Sequence, residues 1–408
     1  MIMLPTSDIE GMAVAEFDTR TLLKHAAEQA RARHYEKYFI VDVDSHHYES
    51  AAMREIIKYI EEPTLRQMAA SSSIPGAKGG AVLPSAIGYQ EMNGRITRYP
   101  LRNTEKTPPG EERDVELTRR WMDAMGIDVA LLFPTPMLQL SFHPLVEMQV
   151  ALARAYNRWL VEKVLAAESR IKTLLYLPLH DPEACYDIVN EMGDLPGVSG
   201  FVVIATHDIP VHSNRLMKVY AALEERNLPL AFHAHWNWRD GAFKQMNRFI
   251  SAHALGFVFY NMVHMTNWVI NGMPERFPKL KTVWMESGLA WLPFMMQRLD
   301  NEYRMRTSEA PLLKKMPSDY MRDMYYSTQP MEMTDMLGLK DTFRQINADT
   351  QLMYSSDYPH WDFDLPSTVY DIPFLSEQSR KNILGETAAK VFNLEIPKEK
   401  LANIPAAS

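Results

Sequence analysis

The feature that most constrains this chain is an alternation. Short apolar runs at 38–44, 128–133, 171–177, 198–204, 228–233, 280–285, 324–327 and 351–356 are separated, from residue 114 on, by stretches with helical periodicity. Those stretches fall at 114–125, 145–168, 182–192, 214–226, 242–276, 290–303, 331–347 and 376–392. Strands that alternate with helices imply a parallel sheet with helical crossovers. With eight such units, the expected α/β architecture is a closed (β/α)8 TIM barrel, whose reactive groups gather at the carboxyl ends of the strands. Residues 18–37 read as a helix ahead of the first strand, so 1–37 is expected to be an N-terminal helical extension to a barrel domain over 38–394, followed by a tail over 395–408. A long irregular insert at about 71–112, after the first strand, fits a lid, a binding loop or an oligomer contact.

Four of the strand-like runs end in side chains that hold metals or move protons. They lead into Asp44-Ser45-His46-His47-Tyr48-Glu49, His233-Ala234-His235, Glu286-Ser287-Gly288 and Ser356-Asp357-Tyr358-Pro359-His360, after strands one, five, six and eight. On a strand, residues two apart share a face, so Asp42, Asp44 and His46 point one way and Val41, Val43 and Ser45 the other. Asp44 and His46 can therefore grip one ion from a single element. A carboxylate that ends an apolar strand, as Asp357 does, is costly unless it is paired or ion-bound. Each piece also has a structural reading, for His233 that of a satisfied histidine at a barrel rim.

Composition narrows the function classes. A net charge of −8 over 408 residues leaves no basic footprint for nucleic acid. No apolar run approaches the roughly 18 residues of a membrane span. The N-terminus carries acidic residues where a secretory signal would be basic, and Cys185 stands alone, so a cytoplasmic protein without disulfides or a thiolate cluster is expected. Gly197-x-x-Gly200 lacks the spacing of a dinucleotide fingerprint. The 27 methionines, Met262, Met265, Met285, Met295 and Met296 among them, fit adaptable core filling or a flexible apolar pocket.

Taken together, Asp44-x-His46, His233, Glu286-Ser287-Gly288-x-x-Trp291-x-Pro293 with Arg298-x-x-Asp300, and Ser356-Asp357-Tyr358-Pro359-His360 resemble the amidohydrolase-related family of the amidohydrolase superfamily, in the branch of the aminocarboxymuconate-semialdehyde decarboxylase-like enzymes. The closing Ile383-Leu384-Gly385-x-x-Ala388 and Phe392 are similar to that family's last helix, so the resemblance spans about 38–394. It implies a divalent ion (Zn, Mn or Fe) held by Asp44, His46, His233 and Asp357, with Asp357 also moving protons. Decarboxylases of the branch carry a catalytic His at the end of strand six, where this chain has Glu286.

That departure makes a metal-dependent hydrolase of a small, carboxylated or neutral substrate the leading expectation. Glu286 then serves as acid or base, as a partner of Arg298, or as a ligand of a second ion. For the second ion or for substrate, the surplus candidates are His47, Glu49, His235, His253, His264, Glu286 and His360. His253 and His264 also fit buried helix positions, and His360 a group that orients Asp357. Trp236, Trp291 and Trp361 are expected to line the pocket. The alternatives are a dinuclear Fe or Mn/Fe oxygenase, a non-oxidative decarboxylase, and a non-catalytic partner subunit. A homo-oligomer is expected, and a hetero-oligomer fits the last alternative.

Overall fold

The computed structural model describes residues 19–72, 83, 112–204, 208–238 and 240–401. Most of the insert, the first 18 residues and the end of the tail lie outside the described residues.

Eight parallel strands run in sequence order around one sheet. They are β1 (Val41–His47), β2 (Val129–Pro134), β3 (Ile171–Tyr176), β4 (Val198–Ile204), β5 (Leu230–His233), β6 (Thr282–Met285), β7 (Tyr325–Ser327) and β8 (Leu352–Met353). The first and last strands meet through backbone hydrogen bonds, Val43 N–H to Tyr354 O at 3.0 Å and Asp357 N–H to Asp44 O at 2.7 Å. The sheet thus comes round on itself, as a (β/α)8 barrel requires. Parallel strands covered on both faces are near-continuous apolar runs, which is why the sequence shows them plainly. Phe133, Phe201, Phe232 and Trp284 are among the buried bulk.

Helices outside the sheet follow the expected order. They include α1 (Thr19–Ala32), α2 (Arg113–Met125), α3 (Val146–Trp159), α4 (Phe249–Ile270) and α5 (Trp291–Met305). Helix α1 packs on α2. Met265, Met285, Met295 and Met296 are buried in the core. None of the helices in the described residues is long and apolar enough to cross a membrane.

Strand β1 starts and ends about three residues later than the apolar run predicts. Its polar second half stays paired with β2, His46 opposite Phe133 and His47 opposite Pro134, and an irregularity between Asp42 and Ser45 sets three residues against two. Such a bulge re-aims side chains at a barrel rim. Here Asp42 turns to accept from Ser356 N–H and Oγ and from Asp44 N–H, one layer below Asp44 and His46.

Candidate metal centre

Asp44 and His46 come from the end of β1, His233 from the end of β5, Glu286 from the turn after β6 and Asp357 from the turn after β8. Two of these carboxylates stand on strained backbone: Glu286 has φ +53° and Asp357 φ +57°. Left-handed conformation at a non-glycine residue persists only where surroundings over-determine it. Around Glu286, its own N–H donates to Ser327 Oγ at 3.1 Å, and Asn261 Nδ2 from α4 donates to Phe232 O, Met285 O and Ser287 Oγ. One buried amide thus ties the ends of β5 and β6 together.

The five functional groups converge. His46 Nε2 lies 3.3 Å from Asp44 Oδ1 and 3.2 Å from Asp357 Oδ1, while His233 Nε2 lies 3.4 Å from Asp44 Oδ1 and 3.3 Å from Glu286 Oε2. Ligand atoms about 2.1 Å from a common cation stand about 3.0–3.4 Å from one another, so the spacing is that of a coordination shell. Both imidazoles point the correct nitrogen. His46 Nδ1 is 2.9 Å from Pro134 O and His233 Nδ1 is 2.7 Å from Ala234 O, which fixes the proton on Nδ1 and leaves Nε2 as a lone pair.

Both oxygens of Asp44, His46 Nε2, His233 Nε2, Glu286 Oε2 and Asp357 Oδ2 are buried and find no hydrogen-bond partner among the described residues. Buried polar atoms are rarely left so, because each costs its desolvation. A divalent cation would answer the open atoms of Asp44, His46, His233 and Asp357, and the mixed oxygen and nitrogen donors suit Zn, Mn or Fe.

The electrostatics agree. Burial raises the Asp44 carboxyl, but His233 and His46 outweigh it and hold the group below the ordinary range. For Asp357 burial is likewise outweighed, by His360 and His46. Burial lowers His46, yet Asp357 and Asp44 push it up to about 10. The carboxylates thus draw positive charge to this spot, a demand a divalent ion meets while displacing the proton. Glu286 goes the other way: burial, then Asp357, Asp44 and Asp362, push it well above its usual value, toward the protonated form.

Beside the cluster opens a cavity of about 240 Å³. Trp236, Phe249, Phe257 and Trp361 form its aromatic wall, and Glu286, His235, His253, His360 and Asp362 its polar lining.

Against known families, the model described as amidohydrolase matches residues 108–394. The chain belongs to the amidohydrolase family. Within it, a curated relative is the gamma-resorcylate decarboxylase of Rhizobium sp. (strain MTP-10005), 24% identical over 302 residues that make up 69% of this chain and 88% of the relative. The 5-carboxyvanillate decarboxylase of Sphingomonas paucimobilis shares the fold with a TM-score of 0.61 at 21% identity, over 88% of this chain and 100% of that one. So does the dihydroxybenzoic acid decarboxylase of Polaromonas sp. JS666, solved with manganese and 2-nitroresorcinol, with a TM-score of 0.60 at 18% identity over 89% and 99% of the two chains. These relatives fit the aminocarboxymuconate-semialdehyde decarboxylase-like branch.

The other residues singled out in the sequence divide between the cavity and the outer layers of the barrel. His360 Nδ1 is 2.7 Å from Asp357 Oδ1 and its Nε2 3.1 Å from Thr135 Oγ1, so it orients Asp357. His235 meets the Gln139 side chain at the cavity edge, and His253 lies 3.7 Å from Asp362. His47 faces away from the cluster, 2.8 Å from Tyr156 Oη, 3.5 Å from Asp114 and stacked on Trp159. His264 is buried beside Phe232 and Tyr260. Glu49 accepts from the backbone N–H groups of Thr135 and Met137, and burial pushes it up to about 7. The expected pairing of Glu286 with Arg298 fails: Arg298 is two-thirds exposed and lies 3.2 Å from Glu302, its neighbour one turn along α5. Trp291 is not part of the cavity wall; its indole N–H donates to Gly288 O.

Sequence reasoning missed Thr135, Gln139, Asn261, Phe249, Phe257 and Asp362. Only Asn261 left a signal, as a buried amide in a 22-residue helix free of Lys, Arg, Asp and Glu.

Proposed function

We propose that the chain is a metal-dependent, non-oxidative carboxy-lyase acting on a small aromatic hydroxy acid. The observation that carries this is the position of Glu286, which belongs to the ligand cluster and also to the lining of the aromatic cavity. A carboxyl group there, between the ligand cluster and the aromatic wall, meets the substrate where a proton is needed. The decarboxylase relatives support this reading over the hydrolase expectation.

Asp44, His46, His233 and Asp357 would hold the cation, with His360 and the Pro134 and Ala234 carbonyls fixing their orientation. A divalent ion held there would supply Lewis-acid polarisation of substrate oxygen atoms. Trp236 and Trp361 keep the ring flat against the wall and exclude water. Asp357, kept anionic by His360 and His46, accepts the proton of a phenolic hydroxyl. Glu286 gives its proton to the ring carbon as the bond from that carbon to the carboxylate breaks. The electron pair of the broken bond is left to the ring, carbon dioxide leaves, Asp357 returns its proton to the phenolate oxygen, and Glu286 recovers its proton from solvent.

The test is carbon dioxide release, without oxygen, from a set of hydroxybenzoates by the manganese-loaded protein. Glu286→Gln should retain the metal and lose turnover. Cleavage of amides or esters with no carbon dioxide from any acid would sink the proposal.

One observation favours a second reading. His46 belongs to two ligand groups, one with Asp44, His233 and Glu286, the other with Asp357 and His360. Two ions per chain and oxygen uptake coupled to substrate would point to the dinuclear oxygenase instead.

A further inference from the structure

Asp42 shares a strand face with Asp44 and His46 in the sequence, yet it belongs to neither ligand group. Its side chain is fully buried and both carboxylate oxygens are engaged. Oδ1 accepts from Asp44 N–H at 3.1 Å and from Ser356 N–H at 2.9 Å, while Oδ2 accepts from the Ser356 hydroxyl. One donor lies on β1 and two on the segment after β8, where the ends of the sheet meet. Each side carries a carboxylate of the cluster: Asp44 owns the first donating N–H, and Asp357 directly follows Ser356.

The consequence is greatest at Asp357, whose backbone is left-handed. A side chain can be kept on such backbone when the residues to either side are held in place. Before it, Ser356 is held by Asp42. After it, Tyr358 N–H donates to Ser356 Oγ at 2.9 Å, and Tyr358 O accepts from His46 N–H at 2.8 Å. The Ser356 hydroxyl therefore passes the grip of Asp42 on to the residue beyond Asp357. Only a carboxylate does all of this. An amide at 42 could keep Oδ1 for both backbone N–H groups, but it would present a donor where the Ser356 hydroxyl now donates.

We propose that Asp42 is a positioning residue of the metal centre, which acts through Ser356 to set the Asp44 and Asp357 carboxylates at the spacing a divalent ion requires. This rests on the ligand set given above and not on the reaction. Groups behind metal ligands tune affinity by fixing where those ligands point. A residue that merely closes the barrel would change stability and leave the affinity of the ion alone.

The test is competition of the manganese-loaded full chain against a chelator, with the electron paramagnetic resonance of the bound ion recorded beside it. Asp42→Asn should weaken manganese binding about 10–100-fold and alter the resonance, which follows the symmetry of the ligands. Ser356→Ala removes the hydroxyl and leaves its backbone N–H on Oδ1. It should act in the same direction to a lesser degree, and it decides the matter should Asp42→Asn not fold. His47→Ala is the control, destabilised in the outer layer and expected to hold manganese as the parent does. Affinity within about threefold of the parent, or an unaltered resonance, in the variants that fold would overturn the proposal, however much stability is lost. An equal loss in His47→Ala would overturn it too, as general loosening. The ligand set is judged separately by Asp44→Asn. If that variant keeps its ion, the ligand reading falls. If it loses the ion while Asp42→Asn binds as the parent does, only the positioning role falls.

Discussion

His46 and His47 are neighbours on β1, and their surroundings could hardly differ more. Facing the barrel mouth, His46 gives one nitrogen to a backbone carbonyl and turns the other, with no hydrogen-bond partner among the described residues, toward two carboxylates. On the opposite face, His47 sits between β1 and the helices α2 and α3, with Nε2 against Tyr156 Oη, Nδ1 near Asp114 and its ring on Trp159. At the mouth the open atoms of several side chains meet at one point, whereas in the outer layer the open His47 Nδ1 has a single carboxylate, Asp114, 3.5 Å away. A buried histidine therefore reports function through the ligand atoms gathered around its open nitrogen, and residue type alone does not tell the two apart.

Substitutions in the two regions should separate cleanly. At the mouth, His233→Ala or Asp44→Asn should reduce bound metal from about one ion per chain to background. Turnover should fall by more than the roughly 10–100-fold that loss of a merely orienting partner costs. Elemental analysis beside an activity assay reads both; a variant with full metal and full turnover would break the assignment of the cluster. In the outer layer, His47→Ala strands the Asp114 carboxylate and the Tyr156 hydroxyl in a buried space. It should cost about 3 kcal/mol in denaturant unfolding with the metal retained. Loss of metal at unchanged stability would reverse the comparison.

A subtler case lies between the regions. His360 touches Asp357 and Thr135, and it is the group through which the loop after β8 holds its carboxylate. His360→Phe should lower metal affinity or turnover about 10–100-fold while leaving unfolding within about 0.5 kcal/mol of the parent. A change in stability with metal affinity intact would move His360 into the structural group.

Much of this was legible in the sequence, and the rest was hidden for identifiable reasons. Strands β3 and β4 stand out because burial on both faces makes them continuous apolar runs. The end of β1 does not, since Asp44, Ser45, His46 and His47 break the apolar pattern while the backbone goes on pairing with β2. The carboxylates and imidazoles of the cluster are visible because such residues are out of place at the end of an apolar strand. Gln139 lies in a short 3-10 helix after β2 and Asp362 in the loop after β8, where polarity carries no signal, and only the closed barrel brings them to the cavity. Arg298 misled because motif spacing places it near Glu286 in sequence, while the turn of α5 sends it to solvent.

The smallest expected effect comes from the outer layer and is read by pH. His264 is buried on α4 against Phe232 and Tyr260, its Nε2 without a hydrogen-bond partner among the described residues. Burial lowers it from 6.5 to about 4. Between those values the unfolded chain takes up a proton that the folded chain refuses, so this group destabilises the fold as pH falls from about 6.5 toward about 4. At pH 5 the penalty is at most about 2 kcal/mol. His264→Leu removes the titrating group and should flatten the pH dependence of unfolding over that range by up to this amount, with little change at pH 7.5. Taking the difference between parent and variant cancels the other groups that titrate there. If the two curves run parallel, His264 takes up its proton as readily in the fold as in the unfolded chain, and burial against Phe232 and Tyr260 does not set its charge.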